Sequence, residues 1–145
     1  MYKRILLAYN GSEAGQKALL DCQELCQWSS ASLHLVAVMP VMLGVVGLEG
    51  AVYDQHLADR ERETYEAVLN EGVRRLGAAG HTATGVVLVG ETIDEITQYA
   101  KKIEADLIVV GHRHLDHWAA RWWRGSVSKA LIEHSPCSVL VVITH

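Results

Sequence analysis

A chain of 145 residues, half of them apolar, has the length of one domain and can bury a core without disulfide or metal staples. A formal net charge of −4 supplies no broad cationic field, which argues against a nucleic-acid or anionic-membrane surface. The start, Met-Tyr-Lys-Arg-Ile, runs straight into a strand pattern without a signal-like segment, and the longest apolar run, residues 36–48, is broken by Pro40, Gly44 and Gly47, so a cytoplasmic protein with no membrane span is expected.

In chain order, the first strand is expected at residues 4–9. It gives way to Asn10-Gly11-Ser12, where the Ser12 hydroxyl can cap a helix that buries Ala18, Cys22 and Leu25. Cys22 and Cys26 sit one helical turn apart and Cys137 is remote. With three cysteines in all, buried free thiols are expected rather than a disulfide framework. A second strand at 32–38 leads into residues 39–52, a long Gly-rich apolar stretch that reads as a lid or a partial helix. The second helix is the clearest element. Tyr65, Val68, Leu69, Gly72, Val73 and Leu76 form one continuous stripe, and Gly77 and Gly80 supply stop signals.

A third strand is expected at residues 83–89. Thr92-Ile93-Asp94-Glu95 then fits a capping box for a helix that buries Ile93, Ile96, Ala100 and Ile103. A fourth strand, 106–110, ends at Gly111. A loop rich in histidine and tryptophan follows, up to a helix expected over 126–134 that buries Val127, Ala130 and Leu131 and stops before Ser135-Pro136. The last strand is 138–143. Mostly continuous apolar strands alternating with amphipathic helices predict a parallel sheet covered on both faces, with ligands beyond the carboxyl ends of its central strands.

A strand that ends at Gly111, and a loop that ends at Gly125-Ser126 where a helix begins, is the layout of a phosphate cradle, because free N–H groups at a helix start attract anions. Asn10 should lie beside it. Its amide can hydrogen-bond a base or ribose, or can equally hold the strand-to-helix turn together.

These residues resemble the universal stress proteins along essentially the whole chain. Arg4-Ile5-Leu6-Leu7-Ala8-Tyr9-Asn10-Gly11-Ser12 is similar to their opening strand and turn, and Gly90-Glu91 to another family position. The most specific matches are Ala105-Asp106-Leu107-Ile108-Val109-Val110-Gly111, Gly125-Ser126-Val127-Ser128 and Pro136-Cys137-Ser138-Val139-Leu140-Val141-Val142. The resemblance implies an α/β fold of the adenine nucleotide alpha hydrolase-like kind: one domain with a five-stranded parallel doubly wound sheet in the order 3-2-1-4-5. It also implies a stress-response role without catalysis, a protein client, and a homodimer through residues 139–143, an apolar strand otherwise left as an open edge.

Some family members bind ATP or AMP through an acid after the first strand, backbone at the end of the second, and G-x2-G-x9-G-[ST]. Carried over by position, these become Asn10, Val38, Gly111, His114, Gly125 and Ser126, with Arg113 and Ser128 beside the phosphates. Three departures stand out. Asn10 replaces the acid, His114 replaces a glycine whose bare backbone would approach the ligand, and ten residues rather than nine precede Gly125. Arg113, His114, Arg121 and Arg124 can offer phosphate side-chain partners instead.

His112, His114 and His117 with Asp116 invite a metal reading, but exposed-loop histidines without a second ligand cluster are more often surface groups, so no metal is expected beyond a nucleotide-bound Mg. Trp118, Trp122 and Trp123 can stack on adenine or, more simply, pack the loop. No nucleophile elbow, Walker sequence or spaced carboxylate pair is present. The rival readings are a slow ATPase or nucleotide-processing enzyme in the same crevice, and a dimeric interaction module that needs no nucleotide.

Overall fold

The computed structural model describes residues 1–41, 55–113 and 127–144; within them the side chains of residues 13, 14, 26, 28, 29, 55 and 113 are not described. The elements alternate strictly: β1 Arg4–Ala8, α1 Glu13–Ser29, β2 Ser32–Met39, α2 Gln55–Ala78, β3 Ala83–Val89, α3 Thr92–Lys102, β4 Leu107–Arg113, α4 Val127–His134 and β5 Ser138–Thr144. The five strands form one parallel sheet in the order β3-β2-β1-β4-β5, as the family resemblance implies.

Strand alternation divides the core in two. Ile5, Leu7, Tyr9, Leu33, Leu35, Leu107 and Val109 face one side of the sheet and pack with Ala18, Leu19 and Cys22 of α1 and Leu69 and Leu76 of α2. Leu6, Val36, Ile108 and Val110 face the other, against Ile96 and Ala100 of α3 and Leu131 of α4. The α2 stripe lies on the sheet as its spacing predicts. At Gly72 a Cβ would stand 2.7 Å from the Tyr9 ring and 2.9 Å from Leu35, so the bare backbone sets how closely α2 approaches. Continuous burial holds for β1, β2 and β4. It fails at the edges, where Val89 of β3 and Leu140 and Ile143 of β5 are exposed.

Helix ends follow local chemistry with one correction. Ser12 Oγ accepts the Gly15 N–H at 3.1 Å, the expected cap of α1. The α2 helix closes as a Schellman turn, with His81 N–H on the Leu76 carbonyl at 2.9 Å and Gly80 N–H on that of Gly77 at 3.0 Å. The cap of α3 is Glu91 and not Thr92. Its extended backbone lets the carboxylate turn over the helix start and accept the Asp94 N–H at 2.8 Å, while the Glu95 side chain lies against Gly90. The α4 helix is also rotated from expectation. Ser128 and Leu131 are buried and Val127 is 39% exposed.

Cys22 is fully buried and Cys137 half-buried, both as free thiols, with burial pushing the Cys137 thiol up. The Cys26 side chain and nearly all of the 39–52 stretch, from residue 42 onward, lie outside the described residues.

Candidate functional site

The sheet is cut back at its centre. β1 pairs with β2 as far as Ala8↔Val36 and with β4 as far as Ala8↔Val110. Beyond those points β2 continues through Ala37, Val38 and Met39, and β4 through Gly111, His112 and Arg113. The result is a notch three residues deep on each flank, roughly 10 Å at the rise of a parallel strand. It lies at the point where strand order reverses, where open α/β sheets bind ligands.

β4 therefore does not end at Gly111. Glycine, histidine and arginine carry no strong strand preference, but β5 also runs long, and Gly111↔Val142, His112↔Ile143 and Arg113↔Thr144 extend the ladder. This pairing decides which way the backbone groups point. Asp106 N–H reaches the Arg4 carbonyl at 3.0 Å, so even-numbered residues of β4 present their peptide groups toward β1 and odd-numbered ones toward β5. Past Val110 the even position is His112. On the other flank, the Val36 carbonyl accepts the Tyr9 N–H at 2.9 Å and the Met39 carbonyl accepts the Gly90 N–H at 3.0 Å, on the β3 side. Val38 consequently faces the notch, as positional carry-over placed it. The backbone of His112 is the group that sequence reasoning missed, and strand parity would have found it once the length of β4 was known.

The floor of the notch is the turn from Tyr9 to Ser12. Gly11 adopts φ +73°, and a Cβ there would stand 2.9 Å from Val68 Cγ1 of α2. Asn10 Oδ1 accepts both the Ser12 N–H at 3.0 Å and the Ser12 hydroxyl at 2.6 Å, closing an Asx turn. The turn-stabilising reading of Asn10 is thus observed. An aspartate in the same turn would keep a second oxygen as acceptor, whereas Asn10 has an NH2 donor there. Burial pushes the Tyr9 phenol up; the charge of Arg75 opposes this and that of Glu71 adds to it.

On the α4 flank, Ser128 Oγ lies 3.3 Å from His112 Nδ1, tying the helix start to the end of β4. Asn10, Val38, Gly111 and His112 thus gather at one place, with Ser128 beside them, and Arg113 is placed by its backbone at the last position of β4. His114, Gly125 and Ser126 lie outside the described residues, as do Asp116, His117, Arg121, Arg124 and the three loop tryptophans. Among the described residues no group of three or more His, Cys, Asp or Glu side chains is arranged to hold a metal, and no helix is long and apolar enough to cross a membrane.

A parallel sheet of this order with a notch at its switch point defines a doubly wound α/β architecture, which binds ligands beyond the carboxyl ends of its strands. The model of the universal stress protein family matches residues 1–142, and the chain belongs to that family. A universal stress protein of Thermus aquaticus is 33% identical, over 98% of this chain and 99% of its own length. Among solved structures, a universal stress protein from Burkholderia pseudomallei is 26% identical and superimposes with a TM-score of 0.76, covering 97% of this chain and 96% of its own. Two more distant structures share the fold and carry nucleotides. A universal stress protein in complex with cAMP is 23% identical, with a TM-score of 0.74 over 99% of this chain and 98% of its own. One from Arabidopsis thaliana with AMP bound is 19% identical, with a TM-score of 0.71 over 99% and 92%.

Proposed function

We propose that this chain is a noncatalytic stress-response domain whose interactions are modulated by an adenine nucleotide held in the notch, with AMP a better fit than ATP. The notch itself carries the reading. β1 stops short, the peptide groups of Val38 and His112 face each other across the gap, and Asn10 closes its floor. Strand-end peptides turned toward the gap suit the edge of an adenine and a ribose hydroxyl. The AMP and cAMP complexes of proteins with this fold support the same ligand class.

The preference for a monophosphate rests on the altered loop. His114 and the extra residue before Gly125 change the segment that would track a β,γ-phosphate chain, whereas base and ribose depend on the flanks of the notch. The noncatalytic reading rests on proton chemistry. Asn10 cannot take or give a proton in ordinary acid–base catalysis, and the Ser128 hydroxyl is buried against His112.

Calorimetric titration of nucleotide-free protein with AMP, ADP and ATP tests the proposal. Saturable heat with AMP, and weaker heat with ATP, is expected. Silence of all three at high micromolar concentration would leave the nucleotide-independent module.

The assembly we propose is a homodimer through β5. The strand is an edge, and Leu140 and Ile143 on it and Val127 and Ile132 on α4 are exposed apolar side chains. Covering them would remove apolar surface from water and give the open edge a partner. Light scattering at micromolar concentration should report twice the chain mass, and Ile143→Lys should return it to the monomer value. A monomeric wild type would sink this part.

A further inference from the structure

The end of the sheet opposite the notch holds a concavity of about 460 Å³, where β2 and β3 begin and α1 and α2 end. That volume is in the range of small-molecule pockets. Among the described residues its walls carry four hydroxyls, from Ser30, Ser32, Thr82 and Thr84, and two imidazoles, His34 and His81, and no carboxylate, amine or guanidinium.

The polar groups are partly organised. His34 and Thr84 are register partners across β2 and β3, with Thr84 Oγ1 2.8 Å from His34 Nδ1, and Ser32 Oγ lies 3.4 Å from His34 Nε2. Burial, and then the Arg4 charge, hold His34 below the usual imidazole range, so at neutral pH the ring is an uncharged link between two hydroxyls. His81 Nε2 is the one buried side-chain polar atom among the described residues that has no partner. That nitrogen is closed off from solvent and hence from the open space of the cavity, so the groups left to meet an occupant are the four hydroxyls.

The surroundings select the chemistry of that occupant. Ser30 follows α1 at φ 54° and Gly80 follows α2 at φ 87°, so two helix carboxyl ends border the cavity. Helix-end carbonyls accept hydrogen bonds and disfavour an anion. Among the described residues a fixed cation would find no carboxylate on the walls, and a nucleobase no indole or phenol ring to stack on. A neutral molecule dense in hydroxyls suits these walls, because each of its O–H groups can donate to a helix-end carbonyl and accept from a wall hydroxyl.

We propose that this cavity is a second binding site, for a small neutral polyol or simple sugar. Ser32 and Val38 stand six residues apart on β2, roughly 20 Å, so its occupant does not reach the notch and the inference is independent of nucleotide binding.

The test is an NMR titration of the intact chain with myo-inositol and with glucose, read on the imidazole resonances of all histidines. Polyols excluded from protein surfaces stabilise folded proteins without binding, so a rise in Tm is not diagnostic and a local, saturable response is required. His34 and His81 should shift along a saturating curve with at least one of the two compounds while His112 and His134 stay still. Thr84→Val keeps a β-branched strand residue and Ser32→Ala removes one hydroxyl. Each should weaken binding about tenfold, the equivalent of one lost hydrogen bond. Absence of any shift, shifts that grow linearly on every histidine, or unchanged affinity in either folded variant would overturn the proposal.

Discussion

The two ends of this sheet are finished in opposite ways. At the amino end of its central strands the chain is stitched flush. The Asp106 carboxylate accepts the N–H groups of Lys3 and Arg4 at 2.7 and 3.0 Å, Asp106 N–H returns to the Arg4 carbonyl, Ser32 N–H takes the Lys3 carbonyl, and the Arg4 guanidinium reaches Glu104 at 2.9 Å. At the carboxyl end β1 stops while its neighbours continue, and among the described residues the Asn10–Ser12 turn closes the gap from below. At the amino ends of the central strands β1 and β4 the sheet and its flanking side chains satisfy the backbone hydrogen bonds between themselves. At the carboxyl ends the continuing strands turn backbone toward a gap that β1 does not fill.

The largest effect should come from the turn at the open end. Gly11→Val places a β-branched residue at φ +73° with its Cβ against Val68, and should destabilise the fold by about 2 kcal/mol or more, read as a lower urea midpoint with unchanged m. A loss below about 0.5 kcal/mol would mean that the turn relaxes freely and does not define the floor of the notch.

At the stitched end the effect should be smaller and pH-dependent. Burial raises the Asp106 carboxyl, but hydrogen bonds from Lys3, Arg4 and its own N–H, with the terminal ammonium, outweigh it and leave the group below its ordinary value. A folded-state pKa below the unfolded one contributes stability that is present above the unfolded value, near 4, and is lost as pH falls through the folded value. Asp106→Ala should therefore cost about 1 kcal/mol at pH 7, discounted for exposure, and the gap to wild type should narrow below about pH 4 in urea titrations. A gap independent of pH would show that the carboxylate is not the stitch.

The smallest effect, and of opposite sign, belongs to Asn10→Asp. The Asx turn survives, and a negative charge arrives at the start of α1, stabilising the fold by about 0.3–1 kcal/mol at low salt. The same change restores an acceptor oxygen toward the notch, so AMP should bind several-fold more tightly by calorimetry if the notch is the site. Unaltered affinity would separate the fold's preference for an acid from any role in binding.

Much of the architecture was legible because its signals are local. The apolar runs, the α2 stripe and the Ser12 cap each depend on residues a few positions apart, and each forms where its pattern stands. The misreadings share a different cause. Thr92 and Glu91 are both able to cap a helix, and which one does is settled by the backbone leaving β3. Val127 and Ser128 could each have faced inward, and the docking of α4 on the sheet turned Ser128 toward His112 and Val127 outward. Val38 and His112 both turn their peptides toward the notch; family position points to the first, whereas the second follows only from the length of β4, of which the side chain carries no sign.

By itself the sequence determined that strands and helices alternate, that the central strands are buried on both faces, and to which family the chain belongs, since periodicity and short motifs are properties of neighbouring residues. Only the tertiary structure decided where β4 stops. Gly111, His112 and Arg113 become strand because β5 lies alongside to pair with them, each with a partner 31 positions on, and that pairing turns the His112 peptide toward the gap across from Val38.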